Sequence, residues 1–241
     1  MTRGLRRLVC LGTLLALLAA APWARALKNN VTLYLLAIND EVALVDYRTS
    51  ACSDAQSAWL LVDLRSGAVR RFVHEQSYGT LAKSCAAVTA ELQEALATHH
   101  LDGVVLDAAQ CGAHDDAWQL QMQALLDADF GRQWNADPSR PNLVRLTKER
   151  AQQTLAAIAD GPFAGRAFAV SHKGTRTTLR RDGKLVAELT HARGADPQSR
   201  RFVAVSPGGK SLLVGHTETG QLEVLAVDAR GQARTVPPTA R

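Results

Sequence analysis

The sequence predicts an α+β fold, in which antiparallel β-meanders at both ends of the chain flank a helical middle segment. Three observations support this class. Short apolar runs with hairpin turns fill the chain up to about residue 75, and apolar residues then recur at helical spacings up to residue 158. After Gly161 the period of the apolar residues returns to two, which is typical of strands.

The N-terminal runs are expected to form a four-stranded antiparallel meander. Asn39-Asp40 separates the first two runs and Arg65-Ser66-Gly67 separates the last two, and both are typical hairpin turns. The predicted strands are Val31–Ile38, Glu41–Arg48, Ala58–Leu64 and Ala68–His74.

The middle segment contains three predicted helices and one short strand. The first helix places its apolar residues on one face through spacings of three and four: Leu81, Cys85, Val88, Leu92 and Leu96. The predicted elements are this helix to Thr98, the strand Val104–Ala108, a helix over Asp115–Asp129, and a helix from an N-cap at Thr147 to Ile158.

The C-terminal segment is predicted to be antiparallel β-structure throughout. Its turns include Asp182-Gly183 and Pro207-Gly208-Gly209, which are strong hairpin signals. The predicted strands are Arg166–His172, Thr175–Arg180, Lys184–Thr190, Phe202–Ser206, Ser211–His216, Leu222–Val227 and Gln232–Val236.

Residues 202–236 resemble a blade of a WD40-like β-propeller. Phe202–Ser206, the turn Pro207-Gly208-Gly209-Lys210 and Ser211–His216 have the layout of a strand, an S-P-x-G-K turn and a second strand. Two further strands follow, and Trp59–Val73 repeats part of the layout. The resemblance implies twisted meanders and an incomplete or irregular β-propeller as the alternative fold, but it implies no particular chemistry.

The first 26 residues are predicted to be a secretory signal peptide. Arg3, Arg6 and Arg7 precede the apolar run Leu8–Ala21, and Ala24-Arg25-Ala26 has the small-x-small pattern that signal peptidase cleaves. We therefore expect an exported protein, periplasmic or secreted, with no membrane span after cleavage. The remaining chain divides into an N-terminal meander with the helical region, residues 27–160, and a C-terminal β region, residues 161–241. The alternative is that the C-terminal β region and the N-terminal meander form one domain.

The charge of the chain is distributed unevenly. Residues 27–160 have a net charge of −6, whereas residues 161–241 have a net charge of +7. A basic C-terminal face that binds an anionic envelope polymer is therefore one hypothesis, with five candidate residues: Arg176, Arg180, Arg181, Arg200 and Arg201. Aromatic residues are scarce in this half, which disfavours nucleic-acid binding.

Three cysteines follow the predicted leader. In an oxidising compartment we expect one disulfide, Cys85–Cys111 or alternatively Cys52–Cys85, and one remaining thiol. The topology brings Cys52, Cys85 and Cys111 to one end of the first sheet, and His114 follows at C-x-x-H spacing. Metal binding or thiol redox chemistry at these four residues is the alternative, because zinc accepts such a ligand set.

The motifs favour binding over catalysis. Gly208-Gly209-Lys210-Ser211 mimics part of a phosphate loop, but it lies in a hairpin and lacks the first glycine. The sequence has no G-x-S-x-G and no H-E-x-x-H motif. We therefore expect a binding or scaffold protein without a cofactor, acting on a protein or an envelope polymer through loops at the sheet ends. The loops Thr49–Ser57 and His191–Arg200 are the first candidates.

Overall fold

The computed structural model describes residues 31–49, 56–76, 81–110, 143–161, 167–191, 200–216 and 219–237. In the first half of these residues the elements are β1 Val31–Ile38, β2 Val42–Thr49, β3 Gln56–Asp63, β4 Val69–Gln76, α1 Cys85–Thr98 and β5 Val104–Leu106. A 3₁₀ turn, Ala108–Gln110, follows. The later elements are β6 Val144–Leu146, α2 Lys148–Ala157, β7 Ile158–Asp160, β8 Ala169–Lys173, β9 Arg176–Arg181, β10 Lys184–Thr190, β11 Arg200–Val205, β12 Ser211–His216, β13 Leu222–Val227 and β14 Ala233–Thr235.

Strands β1 to β4 form a four-stranded antiparallel sheet in chain order, which we call the N-terminal sheet. Its first turn forms because the Asn39 side-chain oxygen accepts hydrogen bonds from the backbone N–H groups of Glu41 and Val42. The predicted strands here are confirmed to within two residues at each end.

Both described helices begin at capping residues. The Ser84 hydroxyl accepts a hydrogen bond from the Ala87 N–H, and the Thr147 hydroxyl accepts one from the Arg150 N–H. The predicted cap at Thr147 is therefore confirmed. The helix ends at Ala157, one residue before the predicted end, because Ile158–Asp160 is extended and pairs with β11 as a strand that was not predicted. Neither described helix is long and apolar enough to cross a membrane.

Two further sheets contain the C-terminal strands. The C-terminal sheet has the order β14-β13-β12-β11-β7, and the three-stranded sheet has the order β10-β9-β8. The β9–β10 hairpin turns at Asp182 and Gly183, whose φ angles of 52° and 75° lie in the left-handed region. Two successive left-handed residues are what a type I′ hairpin turn requires, so the Asp-Gly signal is confirmed.

Three apolar clusters stack these sheets into layers. One face of the N-terminal sheet packs against α2 and the C-terminal sheet, with Leu35, Leu60 and Phe202 among the contacting residues. Its opposite face packs against α1 and the paired strands β5 and β6. The opposite face of the C-terminal sheet packs against the three-stranded sheet. The C-terminal sheet is therefore covered on both sides.

The described residues form a mostly-β structure of antiparallel sheets with two α-helices. The helical contribution is thus smaller there than the α+β class implies. The strand β6, which sequence analysis did not predict, pairs with β5 and occupies part of the expected helical middle. The predicted helix Asp115–Asp129 lies outside the described residues.

Candidate functional site

A groove of about 800 Å³ lies between the C-terminal end of α1 and the β3–β4 hairpin. Its apolar lining comes from the N-terminal sheet and the last turns of α1: Val42, Leu61, Ala68, Val69 and Ala95. Its polar lining comes from the hairpin and the helix end: Asp63, Arg70, Thr98 and His99. Ligand pockets have volumes of about 300–1,000 Å³ and similar linings, so this groove has the dimensions of a binding site.

Val69 lies at the edge of the groove and is 47% exposed. It pairs with Val62, which packs on the face of the sheet opposite α1, so Arg70 and Phe72 are the neighbouring β4 side chains on the α1 face. The exposed large apolar side chains of the described residues are Val69, Val105 and Leu185, and Val69 is the one that lines this groove.

A second cavity of about 340 Å³ lies toward the N-terminal end of α1. It is lined by Phe72, Val73 and Gln76 of β4 and by Val88 and Glu91 of α1. Helix α1 bounds both cavities on one side and β4 bounds them on the other. We therefore treat them as one seam, the α1–β4 groove, between β4 residues 69–76 and α1 residues 88–98.

A charged bridge spans the middle of the α1–β4 groove. Glu91 of α1 accepts hydrogen bonds from Lys83, which precedes the helix, and from Arg70 of β4. These two bonds, the one from Lys83 first, lower the pKa of the Glu91 carboxyl. Arg71, the next residue of β4, donates a hydrogen bond to the neutral side-chain amide of Gln56 and lies over the Tyr47 ring, on the other face of the sheet.

The lining of the groove therefore has an excess of positive charge. Arg70, Arg71 and Lys83 are opposed by Glu91 and Asp63. The Asp63 carboxylate accepts hydrogen bonds from backbone N–H groups inside the hairpin turn. Glu91 is thus the carboxylate that faces the cations across the seam.

β4 is the outer strand of the N-terminal sheet. The Asp63 N–H donates to the Ala68 carbonyl at 2.9 Å, which makes these residues a hydrogen-bonded pair. By the alternation of antiparallel ladders, the backbone groups of Val69, Arg71 and Val73 then point away from β3. Within the described part of the chain no strand pairs with that edge.

A partly buried polar cluster lies where the three-stranded sheet packs on the C-terminal sheet, and its His172 side chain is 41% exposed. The hydroxyl oxygen of the fully buried Thr177 is 2.8 Å from Nδ1 of His172 and 2.6 Å from Nε2 of His191. Oδ2 of Asp160 is 3.8 Å from Nε2 of His172 and accepts a 2.6 Å hydrogen bond from Arg200. We call these five residues the histidine cluster.

The environment of the histidine cluster favours a neutral His191. Burial lowers the pKa of the His191 imidazole, and the positive charge of Arg200 lowers it further. The Thr177 hydroxyl has one proton and two ring nitrogens as neighbours. In the neutral state one ring therefore donates to the hydroxyl oxygen and the other accepts its proton.

The series Asp160, His172, Thr177 contains the groups of a nucleophilic triad, which the sequence alone did not reveal. The Thr177 side chain is 0% exposed, so no substrate carbonyl reaches its hydroxyl. The hydroxyl also bonds to a second imidazole. This arrangement holds β8, β9 and the end of β10 together and has no accessible nucleophile.

The five arginines of the predicted anionic face do not lie together. By the strand register, Arg176 and Arg180 share the outer face of the three-stranded sheet. Arg181 lies 4.4 Å above the Phe168 ring and donates to a helix carbonyl. The Arg200 side chain is 4% exposed within the histidine cluster. Arg201 lies over the ring of Tyr34, toward the N-terminal sheet.

Four residues were predicted to form a disulfide or to bind a metal, and of these Cys85 lies within the described residues. It is the first residue of α1. Cys52, Cys111 and His114 lie outside the described residues, so the pairing Cys85–Cys111, the pairing Cys52–Cys85 and the metal set all stay predictions. In the described segments, no group of three or more His, Cys, Asp or Glu residues is arranged to hold a metal ion.

The α1–β4 groove and the histidine cluster were not predicted from the sequence. The hairpin turn at Asp182-Gly183 fixes the β9–β10 register, and this register places Thr177 near the strand end that leads to His191. That signal was present in the sequence. The groove had no such signal, because it depends on how far α1 lies from the edge of the sheet.

Comparison of the chain with protein-family models, with curated proteins and with solved structures gives no match in any of the three. The functional inference therefore depends on the geometry of this chain alone.

Proposed function

We propose that this chain is an exported, non-catalytic binding or scaffold protein whose recognition surface is the α1–β4 groove. The observation that supports this most directly is the groove of about 800 Å³ at the end of the N-terminal sheet, with Val42, Leu61 and Ala95 in its apolar lining. The groove is formed by a hairpin turn and a helix end, as expected for a protein that binds through loops at its sheet ends. Partners are then proteins or envelope polymers.

Export to the periplasm or the cell exterior is part of this proposal. The residues that predict a signal peptide, 1–26, lie outside the described part of the chain. The sequence pattern of this segment supports the proposal, because three arginines precede the apolar run Leu8–Ala21 and Ala24-Arg25-Ala26 follows it.

For the whole chain we propose an α+β arrangement in which blade-like meanders flank a helical middle segment. Four consecutive strands in the N-terminal sheet and four in the C-terminal sheet support it, because each set is an antiparallel meander. The two meanders pack face to face, as neighbouring blades do. An irregular β-propeller is the alternative fold. It would be irregular because α1, and not a further blade, packs on the outer face of the N-terminal sheet.

Filling the groove tests the proposed function. Thr98 lines the groove, whereas its neighbour Ala97 is exposed and is not part of the lining. We expect isobutanol, phenol and indole to shift the backbone amide NMR signals of Leu61, Val69 and Ala95 most strongly. Thr98→Trp should weaken these shifts at least about fivefold, because an indole occupies part of the groove. The matched control Ala97→Trp should leave them within about twofold.

Two results would contradict the proposal. Probe-induced shifts spread evenly over the surface would mean that the groove has no preference for apolar ligands. Equal shifts in Thr98→Trp and Ala97→Trp would mean that the probes bind elsewhere.

The outer face of the three-stranded sheet favours a second candidate function, the binding of an anionic envelope polymer. Lys173, Arg176 and Arg180 share this face, and Glu188 is the acidic residue on it, 3.6 Å from Arg176. The surface is therefore positive, although Arg200 and Arg201 are not part of it.

This second candidate predicts salt-dependent retention on a heparin or dextran sulfate resin. The retention should depend on salt because exposed charges are screened within a Debye length of about 10 Å at 0.1 M. The double variant Arg176→Gln/Arg180→Gln should elute at lower salt, because it has two fewer cations on this face to attract the resin. The control Arg65→Gln removes an exposed charge on the N-terminal sheet and should elute like the parent. Identical elution of all three proteins would exclude this surface.

A further inference from the structure

We propose that the α1–β4 groove binds an extended polypeptide segment, which adds to β4 as a fifth strand and places a carboxylate against Arg70 and Lys83. This inference rests on the proposed function of the groove and names the chemistry of its occupant. Three features of the groove lead to it: the backbone of the β4 edge, the spacing of the two cavities and the excess of positive charge.

The backbone of β4 matches an added strand. Val69, Arg71 and Val73 point their N–H and C=O groups away from β3, at the regular spacing of an antiparallel ladder. An extended segment satisfies these groups in pairs, whereas a globular ligand or a helix does not. The β4 strand has eight residues, which is enough for several such pairs.

The two cavities match alternate side chains of that segment. On β4, Val69 and Arg70 line the larger cavity, and the smaller one is lined by Arg71, Phe72, Val73 and Gln76. A strand rises about 3.3 Å per residue, so the cavities are about four residues apart along an added strand. Side chains at positions i and i+4 lie on one face of a strand. We therefore expect apolar side chains at these two positions.

The charged bridge occupies the position between the cavities. Arg70 and Lys83 share the single carboxylate of Glu91 there. A carboxylate at position i+2 of the segment supplies the second negative charge to these two cations. A second copy of β4 fits less well, because it brings its own Arg70 and Arg71 to a surface that is already positive.

A synthetic peptide tests this inference. The probe is the capped nonapeptide Thr-Thr-Leu-Thr-Asp-Thr-Leu-Thr-Thr, and its first control has Lys in place of Asp. The second control has N-methyl groups on alternate residues, which remove the backbone donors on one edge. We expect the parent peptide to bind and to slow hydrogen exchange at the amides of Val69, Arg71 and Val73. Both controls should bind at least about tenfold more weakly.

Two variants of the protein test the same edge by changing β4 instead of the peptide. Val69→Pro removes one outward N–H at the first position of the strand, where proline is tolerated, and it should weaken binding about fivefold. Val69→Thr keeps the N–H and the shape of the side chain, and it should bind within about twofold of the parent.

The outcomes separate the inference from the proposed function. If indole and phenol bind in the groove but the peptide does not, or if the N-methylated peptide binds equally well, the added strand is excluded and the groove function stands. If neither the peptide nor the small probes bind, both proposals fail.

Discussion

The hydroxyl oxygen of Thr177 lies 2.6 Å from Nε2 of His191, in a part of the core where Thr177 is fully buried. On its other side it lies 2.8 Å from Nδ1 of His172. A single buried hydroxyl therefore joins β8, β9 and the residue that follows β10. Because buried polar groups are costly when they lose their partners, this position should be important for stability.

Replacing Thr177 with Val should lower the free energy of unfolding by about 1–3 kcal/mol, since both ring nitrogens lose a buried partner while the shape is kept. The control is Thr178→Val, on the outer face of the same strand, which should change it by about 0.5 kcal/mol or less. Urea unfolding at pH 7 measures both. Equal effects of the two substitutions would show that the cluster contributes nothing specific.

The ion pair between Asp160 and Arg200 should contribute more than an exposed pair of the same type. Both side chains are largely buried, at 17% and 4% exposure, and Asp160→Asn leaves the Arg200 charge without this carboxylate. We expect a loss of about 3–5 kcal/mol in unfolding free energy. Glu188→Gln, in the outer-face pair with Arg176, should cost at most about 1 kcal/mol. Similar losses in the two variants would contradict this difference.

Local patterns were sufficient to predict most strands. Val31–Ile38, Lys184–Thr190, Ser211–His216 and Leu222–Val227 have the predicted bounds, because their apolar residues and turn residues encode both ends. The second described helix was predicted to reach Ile158, and the strand Ile158–Asp160 was not predicted, because nothing local distinguishes this segment from the preceding turn. Its pairing with β11, about 45 residues later, makes it a strand.

The sites were harder to predict because they depend on distant contacts. Arg200 was predicted to be a surface cation because the C-terminal half has a positive net charge, but its ion pair is with Asp160, which precedes it by 40 residues. The groove likewise depends on the distance between α1 and β4, and the sequence of either element does not specify this distance.

Thr154 of α2 should connect that helix to the N-terminal sheet. Its buried hydroxyl donates a 2.9 Å hydrogen bond to the carbonyl of Leu36, next to the irregularity in β1 between Leu35 and Ala37. Thr154→Val keeps the shape and leaves the Leu36 carbonyl without this donor, so we expect a loss of about 1–3 kcal/mol. Thr154→Ser keeps the hydroxyl and should recover part of that loss. Equal thermal unfolding midpoints for Thr154→Val and Thr154→Ser would contradict the role of this bond.

Stability should fall as the pH is lowered from 7 to 5, because His74 is buried in its neutral form. The His74 ring stacks on Trp59 with 4.0 Å between centroids, and burial, followed by the charge of Arg48, lowers its pKa to about 3. The unfolded chain takes up this proton near pH 6.5, whereas the folded chain does not. Below pH 6.5 the unfolding free energy should therefore decrease by up to about 1.4 kcal/mol per pH unit.

His74→Phe isolates this contribution because phenylalanine keeps the ring stacked on Trp59 and cannot take up a proton. Urea unfolding free energies measured between pH 7 and 5 should vary much less in this variant, with the remaining slope coming from His191, whose pKa is also lowered by burial. Phe72→Leu changes the same buried face without removing a titrating group. It should lower stability at every pH while keeping the slope of the parent. A slope that His74→Phe leaves unchanged would mean that His74 is protonated in the folded chain.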